Sequence, residues 1–136
     1  MKMRRSLACL LFALSVASAG ASAQVVVVVG AKSAISPMSK EQLTAAFMGK
    51  IAGIEPVDLL EDNPVREHFY AKDIGKSASQ IKSHWAKLSF TGKGAPPKEY
   101  PSSAEVKKAL AENLYAIGYI EKAAVDASVK IVYEGR

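Results

Sequence analysis

The pattern of the chain opens with an unbroken apolar run. Residues 24–30, QVVVVVG, are β-branched and show no polar alternation, which is the signature of a strand covered on both faces, in the middle of a sheet with helices on either side. Small residues follow through 30–38, and Pro37 bars helix just before Ser39. Ser39 and Gln42 have the spacing of a capping box, with Leu43, Ala46 and Phe47 as the apolar stripe of the helix they start. Gly49 ends that helix, and Lys50 is placed well against its dipole.

Residues 54–60 read as a second strand, and the stretch 57–70, VDLLEDNPVREHFY, takes it through a polar turn into a helix. Asp62 or Asn63 can cap that helix, Pro64 suits its first turn, and Val65, Phe69 and Tyr70 give it an inward face. Gly75 closes it. Ser77 with Gln80 opens a third helix, running to about residue 89 with Ile81, Trp85 and Leu88 inward. Two glycines and three prolines make 91–101 a loop without regular structure. Ser102 with Glu105 starts a fourth helix lined by Val106, Ala109, Leu110 and Leu114, and residues 116–120 and 129–133 are short strands. Tyr115 and Tyr119 bracket the first of these strands and are assigned to packing. Strands alternating with helices predict an α/β domain with a mainly parallel or mixed sheet flanked by about four helices.

The amino terminus lies outside this pattern. Lys2, Arg4 and Arg5 precede an apolar run at 7–19, and Ala21-Ser22-Ala23 forms a small-residue cleavage site, so residues 1–23 read as a signal peptide and 24–136 as the mature domain. The run is shorter than the roughly 20 residues of a spanning helix. Cleavage removes three of the eighteen basic residues and leaves fifteen against thirteen acids, a net charge of +2 that gives no case for nucleic acid. It also removes Cys9, so the mature chain has no cysteine for a disulfide, a thiolate metal site or a nucleophile.

Candidate chemistry concentrates where strands feed capped helices, because free N–H groups and the positive end of the helix dipole suit an anion. Two such places are the loop with Ser33, Ser36 and Ser39 and the turn with Asn63 and Arg66, and if their strands are neighbours both helix starts converge on one anion. Arg66 can hold two oxygens at once, although Glu61 and Asp62 stand ready to occupy it. Thr91-Gly92-Lys93-Gly94 lacks the spacing of a phosphate loop, His68 and His84 have no metal-site spacing, and no serine lies in a G-x-S-x-G elbow. No catalytic constellation is present, and the chain reads as a non-enzyme with no cofactor.

The succession LTAAFMGK (43–50), EPVDL (Glu55–Leu59), a polar turn with Arg66 and Phe69, and AIGYIEKAAVDASVKIV (116–132) resembles the phosphate-binding periplasmic proteins of ABC transporters, over nearly the whole mature chain. That family has two α/β lobes that clamp the anion between them. The resemblance implies a single lobe of that fold in a periplasmic, secreted protein that binds phosphate or a related oxyanion weakly; of the candidate ligand-binding residues it carries over only Arg66, and Ser36, Ser39 and Asn63 come from the two helix starts. It implies an ABC transporter permease or another envelope protein as partner. The alternative is an interaction protein whose lobe face docks a partner or a second copy, and a homodimer would rebuild the cleft.

Overall fold

The computed structural model describes residues 24–135. Five strands form one mixed sheet in the order β3-β2-β4-β1-β5, with β1 Val25–Gly30, β2 Glu55–Leu59, β3 Lys98–Tyr100, β4 Ala116–Glu121 and β5 Val129–Glu134. β2 runs parallel to β3 and β4, whereas β1 is antiparallel to both β4 and β5. The sheet is therefore mixed, and the expected α/β layering holds. Every residue of β1 is buried, as its unbroken valine run requires.

The helices are α1 Lys40–Phe47, α2 Pro64–His68, α3 Ala78–Phe90 and α4 Ser103–Glu112. Ser39 and Ser77 form complete capping boxes with Gln42 and Gln80. Ser102 accepts from the Glu105 N–H, but Glu105 makes no reciprocal bond, so the third box is a simple cap. Asn63, not Asp62, caps α2 through the Val65 N–H. α2 passes directly into a π-helical segment, Phe69–Ile74, which ends on the left-handed Gly75. The wider π turn places Phe69, Tyr70, Asp73 and Ile74 all in buried positions.

Three expectations need correction. The segment 91–101 is not wholly irregular: its last residues form β3, which pairs with β2 between Pro97 and Pro101. An edge strand tolerates flanking prolines because its outer N–H groups have no ladder to join. Leu114 lies beyond the end of α4 and is 40% exposed, not part of its inner stripe. Tyr115 is 67% exposed while Tyr119 is buried, so only the second of the pair packs.

The core has two layers, one on each face of the sheet. On one face α4 presses Val106 and Leu110 against β4 and β1, close enough that a Cβ on Gly118 would meet Val106 Cγ1 at 2.8 Å and Val57 Cγ2 at 3.0 Å. On the other face Phe69 stacks on Tyr119 with ring centroids 4.0 Å apart, and Phe47 meets Phe69 edge-on at 4.8 Å. Gly49 has φ +73 and lies under the Trp85 indole, which accounts for the glycine that ends α1.

Candidate functional site

Alternation along β2 sends Val57 to the α4 face and Asp58 to the aromatic face. Asp58 is 2% exposed. Its carboxylate accepts from the Tyr119 hydroxyl, from the Tyr70 hydroxyl at 2.7 Å and from the Leu59 N–H at 3.1 Å. The Tyr119 hydroxyl accepts in turn from the Leu59 N–H at 3.2 Å. Burial pushes the Asp58 pKa up, opposed by the two tyrosine hydrogen bonds and by Arg66. Burial beside the same carboxylate raises both tyrosines far above the ordinary phenol range, so they act only as neutral donors.

Arg66 reaches back from α2 over this cluster. Its guanidinium donates to the Leu59 carbonyl at 2.9 Å and to Glu99 of β3 at 3.3 Å, and lies 3.7 Å from Asp58. The partners anticipated for it, Glu61 and Asp62, are not the ones it takes. Beyond Arg66 opens a groove of about 730 Å³ at the carboxyl end of β2, lined by Arg66, Tyr70, Lys76, Lys82 and the first turn of α3 together with two acids, Glu61 and Glu67. Ser77 and its carbonyl serve the N–H groups of Gln80 and Ile81. The first N–H groups of α3 have no partner within their own helix, as at any helix start.

Asn63 and Arg66 are brought together at this edge. Asn63 uses its side-chain oxygen to cap α2 and is half-buried. Ser36 and Ser39 are exposed and lie elsewhere. The loop that carries them runs along β5, where Met38 donates to the Val132 carbonyl and Lys130 donates to the Ser33 carbonyl. β1 and β2 are not neighbours, since β4 lies between them. The loop thus ends beside β5, three strand spacings or ~14 Å across the sheet from β2, and the condition for both helix starts to meet at one anion is not fulfilled. The Ser39 hydroxyl is already bound to the Gln42 N–H. Ser33 is buried, donates to the Leu114 carbonyl at 2.7 Å and fixes its loop.

The residues that dominate the site, Asp58, Tyr70, Tyr119 and Glu99, are not among the site residues expected from the sequence, which assigned Tyr70 and Tyr119 to packing alone. One signal for them was present: an acid inside the apolar run of β2 has to find partners if the strand is buried.

No family profile matches this chain, and no curated protein matches it. Solved structures do, and the likeness is one of fold, shared with phosphate ABC transporter substrate-binding proteins. An ABC-type phosphate transport receptor from Vibrio cholerae superposes with a TM-score of 0.63 at 21% identity, over 80% of this chain and 45% of that one. A phosphate ABC transporter substrate-binding protein from Clostridium perfringens, solved with bound phosphate, gives 0.65 at 19% identity, over 80% of this chain and 44% of that one. PstS from Borrelia burgdorferi gives 0.59 at 13%, over 80% and 46%. The chain spans about half the length of the structures it matches, as one lobe of their fold would.

Proposed function

We propose that this domain is a solute-binding module of the bacterial envelope that takes phosphate or a related oxyanion, weakly, in the groove beyond Arg66. The observation that supports this reading is the convergence of Arg66, Lys76, Lys82 and the start of α3 on one 730 Å³ groove. Weakness follows from the same geometry. Arg66 Nη1 already donates to the Leu59 carbonyl and to Glu99, and the guanidinium shares its charge with Asp58, so an incoming anion has to compete with two carboxylates. In this reading Arg66 faces the ligand, while Asn63, spent on the α2 cap and outside the groove lining, supports the turn, and Ser36 and Ser39 stand apart. The Clostridium perfringens protein with its bound phosphate motivates the choice of anion. Residues 1–23, outside the described residues, are assigned as the signal peptide that delivers the domain to the periplasm.

Calorimetric titration with phosphate, using sulfate as the competing oxyanion, tests the proposal. The expected result is saturable binding near millimolar Kd, about 4 kcal/mol, weakened several-fold by Lys82→Met, which leaves the Asp58 cluster untouched. Absence of saturable heat at ~10 mM phosphate would overturn it.

A second reading has its own observation. Phe90 is 94% exposed at the end of α3 and Tyr115 is 67% exposed before β4, surfaces suited to an envelope protein, a transporter permease or a second copy. Light scattering that finds a dimer lost in Phe90→Ser would support this use.

A further inference from the structure

At the opposite end of β2, beneath the amino-terminal ends of β2 and β4, lies a separate groove of about 500 Å³. Its walls include Val57, Trp85, Leu88, Pro96 and Tyr100, and Lys93 and Lys98 stand among its polar lining. The volume falls in the range of ~300–1,000 Å³ typical of small-molecule sites. Pro96 and Pro97 give it rigid apolar surface without N–H donors. Directional recognition therefore falls to the two lysines. Lys98 Nζ is held 5.5 Å from the centroid of the Tyr100 ring, which fixes a cation against the wall. Neither lysine forms an ion pair among the described residues. Glu55, the acid of this lining, is bound by the Asn113 side-chain amide at 2.7 Å. Trp85 is buried, and its indole N–H has no acceptor among the described residues.

A groove of mixed lining, with apolar walls and two lysines, suits neither of two kinds of ligand. A small inorganic anion keeps its hydration and gains nothing from Trp85, Leu88 and the prolines. A neutral hydrocarbon leaves the lysines unused. We propose that this groove binds a small aromatic carboxylate, its ring against Trp85, Leu88 and Pro96 and its carboxylate toward Lys98 and Lys93. The site is distinct from the oxyanion groove, shares no residue with it and stands or falls without it.

Trp85 is the only tryptophan in the sequence, so intrinsic fluorescence reports on this groove alone. The purified protein is titrated with phenylacetate, with neutral phenylacetamide and inorganic phosphate in parallel, and calorimetry gives a second readout. The expected result is a saturable change with phenylacetate, with affinity about tenfold weaker for the amide and about tenfold weaker in Lys98→Met. Lys122→Met, on the far side of the fold, leaves it unchanged. Circular dichroism confirms that each variant is folded. No saturable signal at ~10 mM phenylacetate by either method overturns the proposal. So does equal affinity for the amide, an equal response to inorganic phosphate, or full binding in folded Lys98→Met.

Discussion

Asp58 is held between two phenols, a backbone N–H and a guanidinium, and it joins β2, β4, α2 and the π-helical segment at one point. Asp58→Ala leaves Tyr70, Tyr119 and Arg66 without their common acceptor, and breaking a buried charged cluster of this kind costs ~3 kcal/mol. Urea unfolding measures the loss. The pH dependence has a definite sign. The folded-state pKa of Asp58 is raised above its ordinary 3.8 by burial, so the folded chain holds the proton more tightly than the unfolded chain does. The contribution of Asp58 to stability is fully present below 3.8 and declines as pH rises through the folded pKa. Wild-type stability minus that of Asp58→Asn should therefore shrink with rising pH over this window, and a difference that grows would contradict the assignment. Sequence alone showed the acid in VDL but not its partners. Tyr119 is 61 residues away, and only the register that aligns Pro56 with Ile117 carries it beside Asp58.

At the scale of elements, what could be read locally was read well. The starts of all four helices follow from Ser39, Asn63, Ser77 and Ser102, because a cap is decided within four residues of chain. β3 was missed because three residues between prolines carry no periodicity, and its pairing with β2 is purely tertiary. Docking of α4 is likewise a matter of close approach. Gly118 admits the helix to the sheet, and the nearest neighbours of an added Cβ are Val106 Cγ1 and Val57 Cγ2, both branched and locked in the core. Gly118→Ala is expected to cost ~2 kcal/mol through overpacking. The companion variant Val106→Ala opens space at the same contact, so the double mutant should lose less than the sum of the two singles. Strict additivity in urea unfolding would show that Gly118 does not set the helix-to-sheet distance.

At the scale of the whole molecule, the strand order brings the two ends of the described chain together. β1 lies between β4 and β5, so the first strand is completed by the last two, and nothing in the composition of either segment announces this pairing. The alternation of strands and helices predicts a mainly parallel or mixed sheet, and the sheet is mixed; which strand runs against its neighbours, β1, is decided by tertiary pairing alone. β5 also serves the long loop after β1, through the Met38 N–H on Val132 and the Lys130 ammonium on the Ser33 carbonyl. Removing β5 would uncover one whole edge of a fully buried valine strand, strip Val129 and Val132 from the core and free the loop that leads into α1. The β5-facing backbone groups of β1 would lose their ladder partners while β4 keeps the others, and with the lost burial of Val129, Val132 and the valine strand the deficit is comparable with the ~5–15 kcal/mol by which a domain is stable. Deletion of residues 129–136 should abolish the cooperative urea transition and the near-ultraviolet signal of the packed aromatics. The oxyanion groove and the tryptophan groove lie at the two ends of β2 and do not touch β5. A truncated chain that still unfolded cooperatively would show that β2, β4 and their helices form a self-sufficient core, and that β1 and β5 are an addition to it.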